Sequence, residues 1–197
     1  QLRLALLVSI IAYTFQDPSR AVDFLSKILE SRERLGPEAS LCIESDIIVM
    51  KLRLGLVDEC RTLIDEAKDK LQQANTSEAV VFSKYYKAVS EFRKLAGPPE
   101  EFYKVSLTYL SYTPLETLSS SEQYELASDM SLAALTGEGV YNFGEVLATP
   151  LLSILDGTEN QYLFDLIKAM NTGDIDSYNS LVNLNSERYF NQPVLKT

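Results

Sequence analysis

Apolar residues recur every three to four positions along nearly the whole 197-residue chain, and no segment alternates convincingly with period two. Ala21, Phe24, Leu25, Ile28 and Leu29 form one stripe, and Ile43, Ile47, Met50 and Leu54 a second. Cys60, Leu63, Ile64, Ala67, Leu71 and Ala74 form a third. Val81, Tyr85, Ala88, Phe92 and Leu95 continue the series, as do Leu163, Leu166, Ile167 and Met170. A strand would bury every second residue, whereas this spacing buries one flank of a helix, so the chain is confined to helices packed through their stripes.

The punctuation supports the same reading. Asp17-Pro18 and Gly36-Pro37 put proline at a first helical position, where its missing N–H costs nothing. Asn75 with Glu78, and Ser120 with Gln123, have capping-box spacing. Gly55, Gly97 and Gly173 follow apolar stripes, where a left-handed residue ends a helix cheaply. The expectation is about ten helices joined by short connections. Gly55, Gly97 and Gly137 are 42 and 40 residues apart, near the length of a two-helix repeat, which points to an α-solenoid. No linker-like run of Gly, Ser, Pro or like charge interrupts the chain, so residues 1–197 are expected to form a single helical-repeat domain. The opening "QLRLALLVSIIAYTF" lacks a basic leader and a cleavage site and is too short to span a bilayer, so it reads as a buried helix. Because it opens on Gln1 rather than Met, the stretch is expected to be a fragment of a longer polypeptide.

Charge narrows the partners. Residues 1–100 carry 14 Lys and Arg against 15 Asp and Glu, and residues 101–197 carry 4 against 13. Such an acidic second half would be repelled by a phosphate backbone or an anionic bilayer, so neither nucleic acid nor membrane is expected as a partner.

Composition also removes most catalytic chemistry. The chain contains no histidine, which excludes His-assisted nucleophiles and His metal sites. Cys42 and Cys60 lie on helical stripes and read as small buried hydrophobes in a reducing compartment. The pairs Glu100/Glu101, Glu122/Glu125 and Asp174/Asp176 read as helix-surface or first-turn charges, not as carboxylates facing across a cleft. "DGTENQ" from Asp156 fails the calcium-loop pattern. Tyr85, Phe92, Phe102 and Tyr109 fall on stripes and read as core. No metal, cofactor or small-molecule substrate is expected.

"TGEGVYNFGEVLATP", residues 136–150, holds Gly137, Gly139 and Gly144 and could be mistaken for a phosphate loop. The third glycine comes two residues late, the flanks are helical, and no Lys or Arg occurs between Lys104 and Lys168. Glu138 and Glu145 would oppose an anion. The glycines therefore read as a structural corner.

The stretch from Leu135 to Pro150 resembles the "LLGEG-hydrophobic-[YF]NFGELL-x-HP" segment of the subunit-nine family of the proteasome lid, within the PCI proteins. "FYKVSLTYL", "SEQYELASDMSLAALTGEG" and "YLFDLIKAMNTGDIDSYNSL" are similar to further segments of that family, and the likeness runs from Phe102 to Leu181. Thr149 stands where the family often has histidine, and Tyr162 where it often has tryptophan. The resemblance implies a right-handed α-solenoid of stacked helical hairpins, with the family's winged-helix half beyond Thr197. It also implies a non-catalytic scaffold of the lid in cytoplasm and nucleus, contacting other lid subunits and the ubiquitin-receptor subunit. A subunit of the related signalosome or initiation-factor assemblies, or a free tetratricopeptide-like adaptor, are the alternatives. The motif residues are Gly137, Gly139, Tyr141, Asn142, Phe143, Gly144, Glu145 and Pro150. Gly137 and Gly139 are expected to turn the chain between two helices, Asn142 to cap the second, Tyr141 and Phe143 to fill the space between repeats, and Gly144 to allow close helix approach.

Overall fold

The computed structural model describes residues 1–30 and 35–191. The described residues form eleven α-helices and two short 3-10 segments, and no strand occurs among them. The residues group into two compact units.

The first unit holds α1 (Leu2–Tyr13), α2 (Pro18–Glu30), α3 (Pro37–Arg53), α4 (Val57–Ala74), α5 (Ala79–Ala96) and the latter part of α6 (Pro99–Tyr112). α3 is its centre, packed against α1, α2, α4 and α5. Its sequence explains the position: "LCIESDIIVM" is apolar nearly all round, and such a helix must be covered on every side. α2 and α4 bury single stripes, Ala21 and Leu25 on one, and Cys60, Ile64, Ala67 and Leu71 on the other. Tyr112 stacks between Phe82 and Tyr86, with centroids 4.9 and 5.8 Å away. Ser90 with Ser106 (2.8 Å) and Ser83 with Thr113 (2.7 Å) are hydrogen-bonded pairs that join α5 to the same stretch.

The second unit holds the first residues of α6, a 3-10 segment (Leu115–Thr117), α7 (Ser120–Thr136), α8 (Phe143–Ala148), a second 3-10 segment (Pro150–Leu155), α9 (Gln161–Thr172), α10 (Ile175–Leu184) and α11 (Ser186–Asn191). α7 packs against the second 3-10 segment, α8 and α9. Met130, Leu151, Leu152, Leu155, Leu163, Leu166 and Ile167 are fully buried. The fold is all-α, with helices packed on their chain neighbours as in a helical-repeat array.

The helix boundaries show which signals acted. Pro18 and Pro37 open their helices as expected. Gly55, Gly97 and Gly137 close α3, α5 and α7, alternate helices, which accounts for their spacing by two-helix lengths. They are not conformational equivalents, since only Gly55 has positive φ. The expected Asn75–Glu78 capping box does not form. Asn75 is left-handed and ends α4, while the Glu78 N–H donates to the Thr76 hydroxyl. At α7 the box forms one residue earlier than expected, between Ser119 and Glu122, because Gln123 instead donates to the carbonyls of Leu115 and Leu118. Asp174 caps α10 through the N–H of Ser177 at 2.9 Å.

The opening segment is a helix, but not a buried one. Only Ala5, Val8, Ser9 and Ala12 are buried, while Leu4, Leu7, Ile10 and Ile11 are exposed. α1 meets α2 and α3 through its small residues, so its large aliphatic side chains face away. Among the described residues no helix is long and apolar enough to cross a membrane.

Candidate functional site

Residues 137–150 form a corner within the second unit, between the end of α7 and the second 3-10 segment. Gly137 follows the last residue of α7 and donates its N–H to Ala133 O at 2.8 Å. A Cβ there would lie 2.7 Å from that carbonyl oxygen, 2.9 Å from Val140 Cγ2 and 3.1 Å from the backbone nitrogen of Glu100. Gly137 is thus the glycine of close approach, where the loop after α7 meets the first turn of α6. Gly139 has φ +76 and open space around its Cβ position, so conformation alone demands glycine there. The Val140 N–H returns to Gly137 O at 3.3 Å and closes the tight turn.

Three expectations for the corner fail. Tyr141 is 84% exposed and fills no space between helices. It follows Val140 outside any helix, and Val140 is buried while Tyr141 is turned outward. Asn142 occupies the position before α8 without a side-chain cap. Its amide donates to Glu145 Oε2 at 2.9 Å, and its backbone carbonyl accepts from the N–H groups of Glu145 and Val146. Gly144 makes no close approach, because a Cβ there would sit 3.6 Å from the Asn171 side chain, an ordinary contact.

Phe143 is buried beside the fully buried Val146. Glu145 is exposed, and Pro150 opens the 3-10 segment that buries Leu151, Leu152 and Leu155. Under the corner, Tyr103 is 5% exposed and its hydroxyl has no hydrogen-bond partner among the described residues. Burial first, and then the charge of Glu145, push that phenol up to about 12. The corner therefore presents a rigid turn, an outward tyrosine and two exposed carboxylates, Glu138 and Glu145.

A second constellation was not legible beforehand. In the first unit Asp46 of α3 is fully buried. It accepts from Lys84 Nζ of α5 at 2.8 and 3.1 Å, from the Tyr13 hydroxyl at 3.3 Å and from the Ser9 hydroxyl of α1. Arg53, Lys84 and Lys87 lie 5.2, 5.4 and 5.5 Å from the centre of the Tyr13 ring. Burial first, and then Asp46, push the Tyr13 phenol far above its ordinary range. The only hint in sequence was an aspartate inside an apolar run, and its partners are 33 to 38 residues distant.

The two thiols are poor nucleophiles. Burial first, and then Asp46, push Cys42 up to about 12; burial also raises Cys60, whose Sγ lies 3.6 Å from Ile48 O. Glu122 and Asp174 cap helices, Glu100, Glu101 and Asp176 lie in first turns, and Glu125 accepts from the Ser121 hydroxyl. Among the described residues no group of three or more His, Cys, Asp or Glu is placed to hold a metal ion.

Helices packed in chain order and a glycine-built corner define the class as an all-α helical-repeat protein. The family of PSD13 N-terminal repeats matches residues 1–167, and the chain belongs to it. It is 33% identical over 198 residues to the Arabidopsis thaliana protein named 26S proteasome non-ATPase regulatory subunit 13 homolog A, covering 98% of this chain and 51% of that protein. It is 38% identical over 141 residues to the Dictyostelium discoideum 26S proteasome non-ATPase regulatory subunit 13, covering 70% and 37%. Against the Saccharomyces cerevisiae 26S proteasome regulatory subunit RPN9 the identity is 31% over 144 residues, covering 72% and 37%. The chain thus spans about half the length, or less, of these relatives.

Proposed function

We propose that the chain is a non-catalytic scaffold of the proteasome regulatory-particle lid that supports ubiquitin-dependent degradation through contacts with other proteins. The observation that carries this is the match to proteasome regulatory subunits along 98% of the chain. A helical-repeat array suits the role, since stacked helices expose extended surfaces to protein partners. Other lid subunits, and the ubiquitin-receptor subunit, are the partners this reading names, in cytoplasm and nucleus. Affinity capture of the whole polypeptide from cell extract, with and without these residues, tests it by mass spectrometry. Recovery of lid subunits is expected, with particular neighbours lost on deletion. Capture without any proteasome subunit would overturn the proposal.

A further inference from the structure

One end of the first unit, where α3 and α5 finish and α4 begins, gathers exposed leucines among cations. Leu54 and Leu56 flank Gly55 in the turn after α3 and are 40% and 39% exposed, and Leu95 near the end of α5 is 57% exposed. α3 and α5 run in the same direction, since Asp46 meets Lys84 and, further along both helices, Arg53 and Lys87 share the Tyr13 ring. Eleven residues beyond Lys84 is Leu95, and the same advance from Asp46 passes through the turn of Leu54 and Leu56. The start of α4 returns to this level, where Arg61 and Arg93 stand 5.8 and 5.7 Å from the centre of the Phe92 ring. The three leucines therefore share one end of the unit.

The charges around them have one prevailing sign. The last turns of α3 and α5 carry Lys51, Arg53, Lys87, Arg93 and Lys94 against Glu91 alone. α4 opens with Asp58, Glu59 and Arg61, and Glu59 is taken up by Lys51 at 2.9 Å, so an excess of positive charge is left. Cations in last turns ordinarily complement the helix dipole, but that role does not call for exposed leucines beside them. Apolar anchors ringed by like charges are the pattern of a surface that selects a partner of the opposite sign. The chain as a whole has a net charge of -10, which opposes an extended anionic surface such as a bilayer or a nucleic acid. A short acidic segment meets only this end, and the more distant carboxylates are screened beyond about 10 Å.

We propose that this end of the first unit docks an acidic segment of a partner protein, whose large apolar side chains rest on Leu54, Leu56 and Leu95 while its carboxylates face Arg53, Lys87 and Lys94. The proposal deepens the scaffold reading and rests on it for the existence of a partner. The test places the photo-cross-linking residue benzoylphenylalanine at position 95 of the whole polypeptide, irradiates it in cell extract and sequences the linked peptide. The expected adduct is a segment of another protein with net negative charge and at least two large apolar residues. Its yield should fall about tenfold in an Arg53→Glu, Lys94→Glu double variant, and should fall as salt is raised from about 50 to about 300 mM. Melting temperatures of the same samples separate lost docking from lost folding. Should the double variant unfold, Lys94→Glu alone, at an exposed position, carries the test with a smaller loss. A neutral or basic linked segment would overturn the proposal, as would a yield indifferent to these substitutions or no protein adduct at all. A link to a second copy, to the polypeptide's own further sequence, to lipid or to nucleic acid would overturn it in favour of that occupant. Capture of lid subunits that is indifferent to the substitutions would leave the scaffold reading standing while this one falls.

Discussion

Lys84 of α5 places its ammonium 2.8 Å from Asp46 of α3, although that carboxylate is only 1% exposed while the lysine is 19% exposed. The pair and the hydroxyls of Ser9 and Tyr13 tie α1, α3 and α5 together. The difference in exposure makes the two halves unequal. Lys84→Met strands a buried carboxylate on two hydroxyls and should cost about 3 to 5 kcal/mol. Asp46→Asn leaves a lysine that can still reach water and keeps an acceptor for Ser9, so about 1 to 3 kcal/mol is expected. Urea titrations of both variants measure the order, and equal losses would show that burial does not set it.

The three glycines of the corner should behave differently. Gly137→Ala drives a methyl into the Ala133 carbonyl oxygen and Val140, which overpacks the corner by about 1 to 3 kcal/mol. Gly139→Ala meets no atom but must hold φ near +76, at about 1 to 2 kcal/mol. Gly144→Ala has room and lies inside α8, so stability should be unchanged or rise by up to about 1 kcal/mol. Thermal melts of the three variants check the ranking.

The aromatics on either side of Asn142 separate packing from recognition. Phe143→Ala should cost about 3 to 5 kcal/mol, because the ring is 9% exposed and leaves a cavity. Tyr141→Ala should leave the melting temperature where it was, since the ring is already in water. If Tyr141→Ala nonetheless reduces capture of lid subunits, the outward tyrosine is a partner contact.

Most of the fold could be read because helical stripes and closing glycines are local signals. Ala21, Leu25, Cys60, Ile64, Ala67 and Leu71 are buried where the spacing puts them. What escaped was decided by contacts distant in sequence. α1 is apolar on both flanks, and periodicity cannot tell which flank turns inward; small residues at Ala5, Ser9 and Ala12 decide it by letting α3 approach. Asp46 reads as a polar break in α3 until α1 and α5 supply its donors. In the corner, glycine spacing located the turn, but Tyr141 and Phe143 lie either side of the helix start, where the period changes.

Alkaline pH offers a last test of the buried phenols. Tyr85 and Tyr103 are both pushed up to about 12, chiefly by burial, against 10.0 for an ordinary tyrosine. Above pH 10 the unfolded chain gives up these protons while the folded chain keeps them, so the unfolded state binds fewer protons and stability falls as pH rises. The stabilising contribution is whole below about pH 10 and is lost as pH climbs through about 12. With eleven tyrosines in the chain, tyrosinate absorbance reports all of them together, so the difference between the parent and a Tyr103→Phe variant isolates one of these phenols. Tyr103→Phe should remove part of the alkaline loss. It also deletes a buried hydroxyl that has no partner among the described residues, so at pH 7 it should leave stability unchanged or raise it by about 1 kcal/mol. A Tyr103→Phe variant less stable than the parent at neutral pH would mean that this hydroxyl is hydrogen-bonded after all, and that the seat beneath Glu145 is wetter than its burial implies.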